Sequence, residues 1–202
     1  MSDYFALLDA PRRPWLDTDE LKQRFLVLSA EMHPDRVHSA SEAAKRAAQH
    51  RYTELNAAFQ CLSRPRERVR HFLELETGTK GEQLQNVPSV LMDFFMEFSS
   101  LCRQTDSFLA EKAAAHSPLL RVQLFERGQE WSEKISAVQK RLEDWRQETE
   151  TELKRLDSEW PANWNGEKRA ATRARLEEIS RTLGFIEGWS SQLRERYVQL
   201  AI

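Results

Sequence analysis

Residues 16–62 read LDTDELKQRFLVLSAEMHPDRVHSASEAAKRAAQHRYTELNAAFQCL, and the way this string breaks decides the fold. Leu21, Phe25, Leu28 and Met32 recur at spacings of four, three and four, which predicts one buried stripe on an α-helix. Asp17 is placed to cap the free amides of that helix, with Glu20 three residues on to reach back. The helix must stop at Met32, because the ring of Pro34 drives the preceding residue, His33, out of helical geometry. After a polar loop Ser41 caps the next helix, and Ala48, Tyr52, Leu55, Phe59 and Leu62 form a matching stripe. Two stripes facing each other make an antiparallel hairpin with an exposed, proline-stiffened tip, each large buried side chain contributing about 1.5–3 kcal/mol.

Working outward, DYFALL at residues 3–8 predicts a small packing helix ended by Pro11 and Pro14. On the other side Pro65 interrupts the pattern. Arg66 to Leu75 then carries Val69, Phe72, Leu73 and Leu75 on a fourth short helix, before the Thr77-Gly78-Thr79-Lys80-Gly81 cluster. We expect a first domain over residues 1–76, a linker over 77–87 and a second domain over 88–202. Pro88 suits the first position of a helix that carries Leu91, Phe94, Phe95, Phe98, Leu101, Phe108 and Leu109. A second long helix runs from Pro118 toward Trp160 through Leu120, Leu124, Trp131, Ile135, Val138, Leu142, Trp145, Leu153 and Leu156. The turn Pro161-Ala162-Asn163-Trp164-Asn165-Gly166 precedes a last helix with Leu176, Ile179, Leu183, Ile186, Leu193, Tyr197 and Leu200, interrupted by Ser190. The expected fold is all-α: a hairpin with short flanking helices, then an elongated antiparallel three-helix bundle.

Composition agrees with this class and removes others. The 202 residues hold 30 Lys plus Arg against 32 Asp plus Glu, a net charge of −2, and only six Gly and seven Pro, too little punctuation for a many-turned β architecture. Residues 1–76 carry 12 basic and 12 acidic side chains and the remainder 18 and 20, so neither part has the basic excess of an electrostatic nucleic-acid binder. No apolar run approaches the ~20 residues of a membrane helix, and residues 1–8 lack the zones of a secretion signal, so no membrane is expected and a cytoplasmic protein is. Cys61 and Cys102 sit apart from each other without a CxxC pair and read as reduced, packed thiols. No nucleophile elbow, phosphate loop or zinc-protease spacing occurs and the five histidines are scattered, so neither catalysis nor a metal or other cofactor is expected.

His33-Pro34-Asp35 between two such helices resembles the J-domain, the module that couples to DnaK-type ATP-driven chaperones and accelerates their ATP hydrolysis. The resemblance makes His33, Pro34 and Asp35 the contact with that partner. Pro34 would fix the loop, Asp35 offer an ionised acceptor to an arginine, and His33 donate or pack beside it. The family adds a basic face on the second helix. Here Lys22, Arg24 and Arg36 supply it, while Leu26 and Val27 stand where positive charge is common, which weakens steering or makes it more selective.

The flanks LDTDELKQRF, LNAAFQCL and RPRERVRHFLEL are similar to the HscB type, the J-protein of iron–sulfur cluster assembly, strongly as far as Leu75 and by architecture beyond it. That resemblance implies an HscA-like chaperone as one partner and an IscU-like scaffold, bound by the bundle, as the other. The scaffold surface would lie on the first bundle helix, at Leu91, Met92 and Asp93 or one turn later at Phe95, Met96 and Glu97. The charged continuation that the family shows there is replaced by FSSLCRQ. Seven large apolar residues between Val90 and Phe98 exceed what one ~100° stripe buries, so part of this helix is expected to stay exposed. Two other readings stand beside this one: a J-domain co-chaperone with a different client, and a structural helical scaffold with a vestigial tripeptide. The arginines of residues 12–13 and 64–70 are interleaved with glutamates and read as solvated helix surface, and the six tryptophans as packing.

Overall fold

A computed structural model describes residues 2–33, 35, 41–78, 91–159 and 166–201. The described residues form seven α-helices: α1 (Tyr4–Leu7), α2 (Thr18–Glu31), α3 (Glu42–Leu62), α4 (Pro65–Thr77), α5 (Met92–Ala113), α6 (Pro118–Ser158) and α7 (Gly166–Ala201). No strand occurs among the described residues. The fold is all-α, a helical hairpin with short flanking helices followed by three long helices. The proposed linker from Thr79 onward, Pro88, Val90 and the turn with Trp160 and Trp164 lie outside the described residues.

Each of the first four helices starts or stops for a local reason. The Asp3 carboxylate accepts the amides of Phe5 and Ala6 at 3.0 and 3.3 Å, Asp17 those of Asp19 and Glu20 at 2.9 and 3.1 Å, and the Ser41 hydroxyl that of Ala44 at 3.3 Å. Pro65 occupies the first turn of α4, and Gly78 ends that helix at φ 70°, the left-handed geometry that glycine adopts without a Cβ clash.

The chain divides into two compact units, Met1–Gln83 with Glu150–Ser180, and Leu84–Thr149 with Arg181–Ile202. In the first, α3 is central and packs against α1, α2 and α4. Phe5, Leu8, Leu21, Leu55, Leu62, Val69 and Phe72 are buried, as are Leu153, Leu156, Leu176 and Ile179 from α6 and α7. The α2 stripe is less covered than its spacing predicts. Leu21 is buried, Phe25 is half-buried with its ring stacked 4.2 Å from that of Phe59, and Met32 is exposed. A hairpin covered by α1 and α4 only at its base leaves its tip two helices thick, and side chains there have too few walls to be enclosed.

Arg68 corrects the reading of the arginine-rich stretch as solvated surface. It is 3% exposed, and its guanidinium donates to the carbonyls of Pro14 at 3.0 Å and Leu62 at 2.7 Å. Burial pulls its pKa down to about 10, opposed by Glu150 and Asp157. Asp157 is itself buried and accepts from the Arg13 side chain (Nη2 to Oδ2, 2.8 Å) and from the Trp15 amide at 3.3 Å, while the Lys154 ammonium lies 4.7 Å from the Trp15 ring centre.

In the second unit Leu91, Phe94, Phe98, Cys102, Phe108, Leu124, Ile135, Leu142, Ile186, Trp189 and Leu193 belong to one buried cluster. Trp189, not the Ser190 position, fills the gap in the α7 stripe, with rings from Phe94, Phe95, Phe98 and Phe185 within 6.3 Å. Tyr197 and Leu120, expected in the core, are exposed, Tyr197 although Leu193 and Leu200 on either side of it are buried. Both cysteines are free, Cys102 buried and Cys61 half-buried. Burial raises both thiols, that of Cys61 to about 11. No helix among the described residues is long and apolar enough to cross a membrane, and no three His, Cys, Asp or Glu among them gather as a metal would require.

Two outcomes follow for stability. Replacing Arg68 with Met should strand the Pro14 and Leu62 carbonyls and lower unfolding free energy by about 2–4 kcal/mol in urea titrations. His71 is buried, stacked on Tyr4 at 4.6 Å, and its Nε2 accepts the Tyr4 amide at 3.1 Å, which requires the neutral ring. Burial lowers its pKa below 6.5, against the pull of Asp3 and Glu74 and together with the push of Arg12 and Arg70. Below about pH 6.5 the unfolded chain takes up a proton that the folded chain refuses, so this contribution is present above that pH and lost beneath it. The Tm should therefore fall between pH 7.5 and 5.5, and the fall should be shallower in His71→Gln.

Candidate functional site

The tip of the α2–α3 hairpin gathers the groups that the sequence singles out. The Met32 amide makes the last helical bond of α2, to the Leu28 carbonyl at 2.9 Å, and the chain then turns away. His33 and Asp35 both face solvent, with side chains 46% and 88% exposed. They are nonetheless held. The His33 Nδ1 accepts the Asp35 amide at 3.3 Å and lies 3.5 Å from the Asp35 carboxylate. The His33 ring meets Tyr52 edge-on, centroids 5.4 Å apart at 75°, and the Tyr52 hydroxyl accepts from Ser29 at 3.4 Å. A neutral His33 thus keeps its other nitrogen, Nε2, as a donor. The corner presents an imidazole donor and a carboxylate acceptor side by side, a pair suited to a partner's polar groups rather than to bond-making. Pro34 and Arg36 lie outside the described residues.

The two cations expected beside the corner part company. Lys22 is exposed on α2, one turn before Leu26. Arg24 is two residues on, about 160° round the helix at 100° per residue, and so on the far edge. There it donates to the Asp9 carbonyl and stands 3.6 Å from the Asp9 carboxylate. Asp9 has φ 48°, the left-handed region that Asp tolerates better than most residues, and this turn aims its carbonyl at Arg24. Nothing in the spacing of Asp9 and Arg24 announces the link. Between Lys22 and the tip, Leu26 and Val27 are 49% and 58% exposed.

On α5 the expected client residues also separate. Leu91 is 4% exposed and belongs to the core, because the residue that opens α5 faces α6 and α7. Phe95 is half-buried against Trp189. Met92 and Met96 are exposed, Met96 by 63%, and sit one turn apart on the outer side. Glu97 is paired with Arg141 of α6 at 2.6 Å, and that guanidinium also lies 5.0 Å from the Phe94 ring centre.

Comparison with known proteins bears on both ends of the chain. The sequence model of the DnaJ domain matches residues 3–71. A co-chaperone protein HscB homolog of Chromobacterium violaceum is 35% identical over 95 residues, 46% of this chain and 53% of that protein, so the match spans about half the length of the curated relative. The structure of chaperone HscB from Vibrio cholerae superposes over 98% of this chain and 99% of its own with TM-score 0.60 at 22% identity. The crystal structure of human co-chaperone protein HscB does so over 98% and 81% with TM-score 0.57 at 21% identity.

Tyr52 gives the site its test. Tyr52→Leu keeps an apolar residue on α3 but removes the ring beside His33. It should move the His33 ring-proton resonances toward random-coil values and cost about 0.5–1.5 kcal/mol for the aromatic pair, leaving the far-ultraviolet circular dichroism unchanged.

Proposed function

We propose that this chain, a J-domain protein of the HscB type, is a non-enzymatic co-chaperone. Its hairpin corner stimulates ATP hydrolysis by a DnaK-type, HscA-like chaperone, and its bundle delivers an IscU-like iron–sulfur scaffold. The division into a J-domain of residues 1–76 and a client-binding bundle of residues 88–202, and a cytoplasmic location, belong to the same proposal. One observation carries it: within the segment matched as a DnaJ domain, His33 and Asp35 stand together in solvent between α2 and α3.

The corner works as a placed ligand. Asp35 offers an acceptor that an arginine of the ATPase engages in two parallel hydrogen bonds, while His33, braced by Tyr52, sets the approach and limits the entropy lost on docking. No covalent step falls to this chain. Binding of the corner changes the nucleotide state of the partner, and the scaffold held by α5 arrives with it.

A second reading keeps the J-domain and changes the client. It is favoured by the engagement of Glu97 with Arg141 and by the run Ser99-Ser100-Leu101-Cys102-Arg103 where the HscB resemblance would put charge. Two measurements decide. Steady-state ATPase assays of an HscA-type chaperone should show stimulation by the wild type and none by His33→Gln, whose circular dichroism stays unchanged; stimulation by His33→Gln equal to wild type would defeat the co-chaperone reading. Calorimetry with an IscU-type scaffold should give a 1:1 complex weakened about tenfold or more by Met92→Ser with Met96→Ser, two exposed positions whose loss leaves the core intact. No complex at all would move the assignment to another client.

A further inference from the structure

Leu26 and Val27 are large apolar side chains standing in water at mid-helix on α2, and nothing in the first unit needs them there. The apolar stripe of α2 that packs on α3 runs through Leu21, Phe25 and Leu28, on the opposite side of the helix. A lone exposed leucine is ordinary; two adjacent ones beside the corner that grips a partner are less so. Leu26 is seven residues and Val27 six residues before His33, about 9–10.5 Å along the helix axis. An interface of ordinary size covers ~800 Å² of each partner, a patch of about 16 Å radius. A protein seated on His33 and Asp35 therefore covers Leu26 and Val27 as well.

Charge does not offer that partner an alternative hold on this helix. The described residues of α2 carry two cations, Lys22 and Arg24, against the carboxylates Asp19, Glu20 and Glu31, and Arg24 is engaged on the far edge by Asp9. Lys22 is the cation left beside Leu26. The helix that flanks the corner presents an apolar centre with a single positive margin, not a basic strip.

Resting on the co-chaperone reading, we infer that Leu26 and Val27 are specificity-determining contacts, and that the cognate ATPase carries an apolar patch facing them where a J-domain with a basic second helix would demand acidic residues. Association is then driven by burial of these side chains and is only weakly dependent on salt. A chaperone with an acidic docking surface would be a poor partner, because its carboxylates would be desolvated against Leu26 and Val27 without a counter-charge.

The experiment follows stimulation of the HscA-type chaperone's ATPase against co-chaperone concentration at low and high potassium chloride, using the full chain. Wild type should keep its half-maximal concentration within about threefold across the two salts. Leu26→Ser with Val27→Thr should raise it about tenfold or more with the same maximal rate. Leu26→Lys with Val27→Arg should introduce a steep salt dependence and improve stimulation of a general DnaK relative to HscA. All of these positions are exposed, and equal Tm values would show that the variants fold. If His33→Gln is silent while the Ser/Thr variant matches wild type at every concentration, the inference is wrong and the co-chaperone reading survives. If His33→Gln stimulates as wild type does, or wild type does not stimulate, that reading fails and the inference goes with it.

Discussion

A guanidinium stays charged at every pH at which this protein works, even when burial draws its pKa down to about 10 as for Arg68, so each of its donors has to be met. Two of them are met by carbonyls, Nε by that of Pro14, in the loop before α2, and Nη1 by that of Leu62, at the last turn of α3. The surrounding negative charge comes from Glu150 and Asp157 on α6. Asp157 in turn takes Arg13 and the Trp15 amide. One buried cation thus ties together the loop, the hairpin, α4 and the far end of α6. The loop so fixed delivers the chain to Asp17, which caps α2 and starts the hairpin. Such an arrangement is a poor source of net stability compared with a well-packed apolar residue, since the desolvation of the charges offsets most of their attraction. What it supplies is uniqueness: another register of the loop would leave a charge in the interior unanswered.

The helices were legible because their ends are written locally. Asp3, Asp17, Ser41, Pro65 and Gly78 each act within a few residues of themselves, and the spacing of three and four between apolar residues carries the phase of each helix. What periodicity leaves open is how much of each stripe finds a neighbour, for that depends on residues a hundred positions away. Met32 and Tyr197 lie on good stripes and stay exposed; Tyr197 does so although Leu193 and Leu200 on either side of it are buried, so spacing alone does not say which edge of a stripe meets a neighbour. Arg68 lies in a string that looks solvated, yet is enclosed by groups up to 89 residues distant in sequence. Trp189 replaces Ser190 as a core position because it stands three residues after Ile186 and four before Leu193, both buried, and its ring meets Phe94 and Phe98 of α5.

The candidate site divides along the same line. A proline after a histidine at the end of an amphipathic helix is a local signal, and it marks the corner unaided. The brace from Tyr52 and the capture of Arg24 by Asp9 are tertiary, and the second removes a cation from the face where a count of charges would place it. On α5 the apolar surplus correctly announces exposed residues, Met92 and Met96, but a surplus does not say which members stay out, and Leu91 goes in.

The half-buried Cys61 and buried Cys102 carry a chemical consequence. A thiol whose pKa is raised to about 11 holds only about one part in ten thousand of its sulfur as the nucleophilic anion at neutral pH, and that of Cys102 is shifted the same way. Both sulfurs are therefore weak nucleophiles at neutral pH, poorly matched to reagents that act on the thiolate.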